Sequence, residues 1–220
     1  MTKLLDLGII RINELLKNMT SIAEITYVDA INAYKEDHIL PKSSYNNSEK
    51  LRMLQEEITE LATELIARYQ PVATDLRFIK SSLEISYNIS RFGRYSFDIV
   101  DLLQESGPLV DCDKSSVLEM SKSVMTIISI CFNSITTQDT EALKELYELE
   151  NNVDREYKKY LRNIIQPQKF SGENTERKHS TNCYLTSLLI LRYLERISDH
   201  ACSIADSIKY IKTGKSSPRR

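Results

Sequence analysis

Helix-breaking residues are scarce along this chain, and their scarcity limits the folds that the sequence can adopt. Among 220 residues there are 5 glycines and 5 prolines, against average usages of about 7% and about 5%. Between these breakers apolar residues recur at steps of three and four, as Leu51, Leu54 and Ile58 do. This spacing is that of a buried helix face, and no segment alternates as a half-buried strand would. The sequence therefore predicts an all-α fold.

Six long helices are predicted from the periodicity and its interruptions. Pro71 can open a helix, because proline is tolerated in the first turn but not in the interior. Gly107 followed by Pro108 is the clearest break in the chain. A polar stretch, residues 166–180, separates the last two helices as a loop. The predicted helices span about residues 2–36, 48–70, 71–105, 115–135, 140–165 and 180–213.

The two halves of the chain resemble each other. The segment NISRFGRYSFDI aligns with the segment YLERISDHACSI. The helices that precede these segments align at a similar offset. Together the two alignments match four pairs of polar positions. The pairs are Ser90 with Glu195, Arg94 with Asp199, Ser48 with Glu150 and Arg52 with Asp154. This register predicts two tandem three-helix bundles related by duplication. The first takes residues 1–107, the second takes residues 108–214, and residues 215–220 form a basic tail.

Charge and hydropathy exclude several classes of function. The 29 Lys and Arg residues nearly balance the 31 Asp and Glu residues, so no overall positive field indicates a nucleic-acid partner. The most apolar window, VMTIISICF, is shorter than the roughly 18 residues that a membrane helix needs. The N-terminus lacks the basic start, apolar run and cleavage site of a signal peptide. We therefore expect a cytoplasmic protein that reaches a membrane only through a partner.

Cysteine and histidine residues indicate no local catalytic or zinc motif. The cysteines are scattered, without a Cys-x-x-Cys pair or a histidine at zinc-ligand spacing, and are expected to be buried and reduced. They are Cys112, Cys131, Cys183 and Cys202. No Gly-rich phosphate loop or GxSxG elbow occurs. His200 lies about 100° around the helix from Asp199, so we expect a packed or surface histidine and not a ligand.

Acidic residues in the last predicted helix form a line of their own. Glu195, Asp199 and Asp206 recur at steps of four and seven, and at about 100° per residue they fall roughly opposite the apolar stripe. Side chains four residues apart lie about 5–6 Å apart at Cβ, so Glu195 and Asp199 can converge on one cation or bridge two. The alternative is a solvated helix face on which Arg192 and Arg196 pair with these acids.

Three segments carry recognisable motifs. QPVATDLRFI contains a Pro-x-Ala-x-Asp-Leu-Arg opening, and LRYLERISDHACSIADSI contains a Glu-x-x-x-Asp motif as Glu195 and Asp199. ELENNVDREY, on the preceding helix, supplies a second acidic element as Glu150 and Asp154. The positions of the opening motif are Pro71, Ala73, Asp75, Leu76 and Arg77. With these motifs the chain resembles the PhoU family of phosphate-uptake regulators over nearly its whole length, most weakly in the first helix.

The resemblance implies a function and a metal site. It implies a cytoplasmic, commonly dimeric protein that is not an enzyme and that restrains phosphate import. The partner would be the ATPase subunit of a phosphate transporter or a membrane sensor kinase. It also implies a divalent or trivalent metal, with iron, zinc, magnesium and nickel as candidates, bound through the acidic motifs. Because a hard cation takes about six oxygen ligands, Glu150 and Asp154 would join Glu195 and Asp199 in one site, which Asp206 could extend.

The first half departs from the acidic pattern. The residues at the corresponding positions are Ser48, Arg52, Ser90 and Arg94. The first bundle is therefore not expected to hold a carboxylate-bound metal. Either this site was lost and the two arginines pair with surface acids such as Glu56 and Asp98, or the four side chains form an anion pocket. The second hypothesis rests on chemistry alone, because guanidinium and hydroxyl groups suit phosphate oxygens; the first is the simpler interpretation.

The motifs favour a regulatory adaptor that works by docking and not by turnover. One alternative is a carboxylate-bridged metal enzyme in a helical bundle. Ferritin-like sites of that kind use Glu-x-x-His pairs that face inward, and no such pair occurs on these predicted helices. The other alternative is a dimerisation scaffold with vestigial acids.

Overall fold

The computed structural model describes residues 2–37, 41–109, 112–165 and 181–215. In these ranges the chain forms six α-helices and no strand, which confirms the predicted fold class. The helices are α1 (Thr2–Glu36), α2 (Pro41–Tyr69), α3 (Ala73–Ser106), α4 (Ser115–Thr137), α5 (Ala142–Ile165) and α6 (Thr181–Thr213). The loop predicted at residues 166–180 lies outside the described residues, as does most of the predicted tail.

Helix α2 is the one helix that begins far from its predicted position. It starts at Pro41, about two turns before Ser48, whereas the other helices begin and end within about two residues of their predicted bounds. The additional turns are packed against the bundle: Ser44 is buried, and the ring of Tyr45 meets that of Phe97 edge-on at 5.6 Å. Tertiary packing therefore makes a helix of a stretch whose serines and asparagines favour a loop.

Polar side chains and a glycine mark several helix ends. Asp113 Oδ1 accepts the backbone N–H of Ser115 at 2.9 Å at the start of α4. Asp139 Oδ1 accepts the backbone N–H of Glu141 at 2.9 Å just before α5. Gly107 ends α3 with φ 72°, a backbone region that glycine enters without steric cost. These local signals explain why the helix ends were predictable.

Helices α1–α3 form the first bundle, helices α4–α6 form the second, and the two pack chiefly through α3 and α6. The core is continuous across both bundles. A further contact joins α1 to α4, where Tyr27 Oη donates to the carbonyl of Ser121 at 2.7 Å. The fully buried residues of the two central helices include Ile89, Phe92 and Ile99 in α3, and Ile197, Ala201 and Ile204 in α6. The predicted pair of tandem bundles is confirmed.

The contact between α3 and α6 is nearly two-fold symmetric. The offset of 105 residues that relates the halves also relates pairs of residues across this contact. Asn88 Oδ1 lies 2.6 Å from His200 Nδ1. The counterparts of these two residues, Tyr193 and Tyr95, stack on each other with ring centroids 6.0 Å apart. The two bundles therefore meet as approximate two-fold mates.

The same symmetry relates the two ends of this contact. Arg77 Nε, near the start of α3, donates to the carbonyl of Ile211 at 3.2 Å, near the end of α6. Asn182 Nδ2, at the start of α6, donates to the carbonyl of Ser106 at 2.9 Å, at the end of α3. Each of these carbonyls lies in a last helical turn and has no partner within its helix. Each central helix is thus capped by the other half of the chain.

Helix α4 carries the most apolar sequence window. An 18-residue window of this helix reaches a mean hydropathy of 1.3, which meets the length and composition of a membrane span. Its apolar side nevertheless lies in the core of the second bundle, where Val124, Ile127, Ile128 and Cys131 are fully buried. We therefore interpret α4 as a core helix.

The prediction of four reduced, buried cysteines is wrong for two of them. Cys112, shortly after α3, and Cys183, in the first turn of α6, form a disulfide with their Cα atoms 5.6 Å apart. They are 71 residues apart in sequence, and a pairing of this kind cannot be deduced from spacing. Cys131 and Cys202 are buried and form no disulfide with each other or with the other described cysteines, as predicted. Burial raises the pKa of Cys131, so this thiol is unreactive in the folded protein.

Candidate functional site

The acidic cluster lies where α5 packs against α6. We use this name for Glu150 and Asp154 of α5 together with Glu195 and Asp199 of α6. Burial, then the negative charge of Asp199 and, least, that of Asp154 raise the pKa of Glu195. Asp154 of α5 and Glu195 of α6 therefore lie near enough for their charges to interact.

Glu195 is buried, which contradicts the prediction that the acids of α6 face away from the core. It is only 7% exposed, and Asp199 and Asp206 are half-buried. Helix α6 packs against α3 on one side and against α4 and α5 on the other. Its buried surface is therefore wider than the single stripe that sequence periodicity reports.

The carboxylate of Glu195 is satisfied at one oxygen only. Oε1 accepts from Arg192 Nη1 at 2.6 Å, whereas Oε2 is buried and has no hydrogen-bond partner among the residues that the structure describes. Desolvation by burial, followed by the charge of Asp199, raises the pKa of this carboxyl, and Arg192 partly opposes the shift. A buried carboxylate oxygen without a partner lowers the stability of the folded protein, because its lost hydration is not replaced. Glu195 is therefore an energetically unfavourable member of the acidic cluster.

A basic side chain from α5 also reaches the acidic cluster. Lys158 Nζ donates to Asp154 Oδ2 at 2.7 Å. The guanidinium of Arg192 also lies over the ring of Tyr157, 5.5 Å from its centroid. The pairing of Arg192 was among the alternatives expected from sequence, whereas that of Lys158 was not, although its four-residue spacing from Asp154 indicates it.

Asp206 makes a separate contact further along α6. It is seven residues from Asp199, which is about 10 Å along a helix. Its Oδ1 accepts from Tyr147 Oη at 2.6 Å, and Lys209 Nζ lies 4.1 Å from the centroid of the Tyr147 ring. The suggestion that Asp206 extends the acidic cluster stays a prediction.

The chemistry of the acidic cluster fits a hard cation, although the side chains are not arranged around one. Carboxylate oxygens are the ligands that such cations prefer, and the unpartnered Oε2 of Glu195 is a buried acceptor that a cation would satisfy. Among the described residues, no group of three or more His, Cys, Asp or Glu side chains converges closely enough to hold a metal ion. The four-carboxylate metal site therefore stays a prediction.

In the first bundle, both arginines that replace acids are paired with neighbouring carboxylates. Arg52 forms ion pairs with Glu49, at 3.1 Å, and with Glu56. Arg94 Nε donates to Asp98 Oδ1 at 2.9 Å. The pairing of these arginines with Glu56 and Asp98, the first of the two alternatives from sequence, is confirmed.

The anion pocket proposed for this position stays a prediction. Ser90 Oγ donates to the carbonyl of Tyr87 in its own helix at 2.7 Å. An anion bound between Ser48 and Ser90 would also have to draw Arg52 and Arg94 away from the acids that now hold them. The pairings in the structure favour the loss of a site over the gain of a new one.

His200 is packed between the bundles, as predicted. Its Nδ1 lies 2.6 Å from Asn88 Oδ1, and its ring contacts that of Tyr95 with centroids 5.7 Å apart. Burial, reinforced by the positive charges of Arg91 and Arg196, lowers the pKa of His200 to about 4. The imidazole is therefore neutral at physiological pH.

The PhoU domain family model matches this chain twice, over residues 16–103 and 117–208. One match falls in each predicted half. A Thermotoga maritima protein named phosphate-specific transport system accessory protein PhoU homolog 1 is 27% identical over 191 residues, covering 85% of this chain and 79% of that protein. A PhoU homolog with the same accessory-protein name from Caulobacter vibrioides is 30% identical over 201 residues, covering 90% and 84%.

Solved structures share the fold. The crystal structure of the phosphate transport system regulatory protein PhoU from Streptococcus pneumoniae superposes with a TM-score of 0.83 at 17% identity, covering 98% of this chain and 100% of that one. PhoU from Pseudomonas aeruginosa gives a TM-score of 0.74 at 22% identity, with coverages of 97% and 98%. At these identities the solved structures show that the fold is shared. The two matches to the family model show that the sequence is related as well. The chain belongs to the PhoU family.

Proposed function

We propose that this protein is a non-enzymatic regulator of phosphate uptake that acts by binding a phosphate transporter or its signalling partner. The observation that carries the proposal is the PhoU domain match in each of the two bundles. It is supported by relatives that are named accessory proteins of phosphate-specific transport systems. The proposed partner is the transporter's ATPase subunit or a sensor protein. The chain would act in the cytoplasm as a homodimer and approach the membrane through that partner.

The proposal includes one metal site per chain, formed by the acidic cluster of the second bundle. The support is the unpartnered Oε2 of Glu195 and the proximity of acids from two helices. A bound divalent or trivalent ion, with iron, zinc, magnesium and nickel as candidates, would supply the positive charge that these carboxylates lack. In the first bundle the counterparts of the four acids are Ser48, Arg52, Ser90 and Arg94, so no second site of this kind is proposed there.

Control of phosphate uptake in living cells tests the regulatory role. In a bacterium whose own PhoU gene has been deleted, we expect expression of this chain to lower the uptake of radiolabelled phosphate in phosphate-rich medium. A tagged copy should also copurify the transporter's ATPase subunit or the sensor protein. The proposal is wrong if the chain accumulates as a folded protein while uptake stays unchanged and neither partner copurifies.

A further inference from the structure

Two basic side chains already neutralise part of the acidic cluster. Arg192 Nη1 lies 2.6 Å from Glu195 Oε1, and Lys158 Nζ lies 2.7 Å from Asp154 Oδ2. Arg192 comes from α6 and Lys158 from α5, so each helix contributes one acid and the cation that pairs with it. An ion that binds Glu195 and Asp154 must therefore compete with these two cations for their oxygens.

The two resident cations are not held equally. The side chain of Glu195 is 10% exposed and that of Arg192 is 36% exposed, whereas Asp154 and Lys158 are 32% and 62% exposed. Solvent screens exposed pairs strongly and buried pairs weakly. Arg192 is also held by the ring of Tyr157 beneath its guanidinium. Arg192 is therefore the stronger competitor for the acidic cluster, and Lys158 is the weaker one.

The carboxylate of Glu195 keeps one oxygen without a partner among the described residues. Oε1 is held by Arg192 and Oε2 is buried, so a cation gains this unpaired oxygen as a ligand when the Arg192 side chain moves aside. Once bound, a multivalent ion repels a guanidinium a few ångströms away. When the guanidinium leaves Glu195 it can keep its present contact with the ring of Tyr157.

We propose that Arg192 and Lys158 are resident counter-ions of the acidic cluster, which a multivalent metal ion displaces when it binds. This inference rests on the metal site proposed above. Metal binding then releases two basic side chains at the surface between α5 and α6, so the loaded and unloaded proteins differ in the charge that they present there. The exchange disfavours monovalent ions. An ion with one positive charge would replace one positive charge by another and gain no electrostatic attraction to the carboxylates.

Zinc titration of the full-length, metal-free chain tests the exchange. Isothermal titration calorimetry would compare the wild type with Arg192→Gln and Lys158→Gln, each of which removes one resident cation. We expect Zn²⁺ to bind Arg192→Gln about three- to tenfold more tightly than wild type and Lys158→Gln about twofold more tightly.

Matched controls come from the same helix. Arg155→Gln and Lys159→Gln remove cations that pair with Asn152 and Glu156 instead of with the acidic cluster. Their zinc affinities should equal that of the wild type. In the unmutated protein, the side-chain Nε–H nuclear magnetic resonance signal of Arg192 should move as zinc is added, which requires no variant to fold.

The outcomes separate the exchange from the site itself. If the wild type binds no zinc, or if Glu195→Gln binds it equally well, the proposed metal site is wrong. If Glu195→Gln loses the zinc while Arg192→Gln binds it with unchanged or weaker affinity, the site stands and the counter-ion exchange is wrong. An Arg192 signal that stays in place at saturating zinc would also contradict the exchange.

Discussion

A single histidine at the contact between the bundles couples protonation to stability. His200 faces Asn88 and Tyr95 from α3, and the guanidinium groups of Arg91 and Arg196 disfavour its cationic form. The repeat places Tyr95 at the equivalent position of the first half. Of these two counterpart residues, only His200 can gain a proton between pH 4 and pH 7.

His200 should therefore destabilise the folded protein in mild acid, whereas Glu195 and Asp98, whose pKa values burial raises, act in the opposite direction. The pKa of His200 is about 4 in the folded protein and near 6.5 in an unfolded chain, so the unfolded chain binds more protons between these values. The contribution of His200 to stability is then fully present above about pH 6.5 and is lost as the pH drops toward 4. Allowing for partial exposure, we expect this contribution to fall by about 1 kcal/mol between pH 7 and pH 5, measured by urea unfolding as the difference between the wild type and a variant that lacks the imidazole.

A His200→Gln variant isolates this contribution. Glutamine can still hydrogen-bond to Asn88 but does not titrate, so the free energy of unfolding should depend less on pH in the variant. An equal pH dependence in the variant and the wild type would assign the effect to other groups.

At the scale of helices, α3 and α6 cap each other's ends. Arg77 and Asn182 each donate to a carbonyl in the last turn of the opposite helix. Replacing either residue with alanine should cost about 1 kcal/mol, the usual contribution of such a hydrogen bond. The two caps lie roughly 40 Å apart along the helices, so their losses should add in the double variant. Denaturant unfolding measures all three variants.

An alanine control separates capping from simple truncation. Asn151 donates to the carbonyl of Tyr147 within its own exposed helix, so Asn151→Ala should change stability by less than about 0.5 kcal/mol. A double variant whose loss departs strongly from the sum of the Arg77 and Asn182 losses would show that the caps are not independent.

The sequence predicts the helices well and their mutual contacts less well, for physical reasons. Helix bounds depend on local signals, such as the break at Gly107. The burial of Glu195 depends on α6 being packed on two sides, and the contact of Asn182 with Ser106 depends on how α3 meets α6. The repeat register nevertheless contained part of this information, because the Arg77 contact predicts the Asn182 contact once the two halves are treated as two-fold mates.

At the scale of the whole molecule, a disulfide joins the connection between the bundles to the start of α6. Cys112 and Cys183 are separated by 71 residues, and a cross-link over such a length restricts the unfolded chain and stabilises the protein by about 2–4 kcal/mol. Dithiothreitol should therefore lower the melting temperature by about 5–10 °C in calorimetry. Reduction should also release two thiols in the folded protein, because both cysteines are half-exposed.

The double variant Cys112→Ser with Cys183→Ser is the matched control. Its melting temperature should be low from the outset and should not respond to dithiothreitol, since the remaining Cys131 and Cys202 are buried thiols that are not in a disulfide. A wild-type melting temperature that is equal with and without reductant would contradict a stabilising role for the disulfide.

The two-fold contact between α3 and α6 also bears on how a partner recognises this molecule. A partner that fitted only the outline of the paired helices would find two acceptable orientations, related by a rotation of 180°. The charges at equivalent places are opposite, since Arg94 occupies in one half the position that Asp199 occupies in the other. A charged partner would be attracted in one orientation and repelled in the other. The duplicated outline would then set the position of the partner, and the unequal charges would set its orientation.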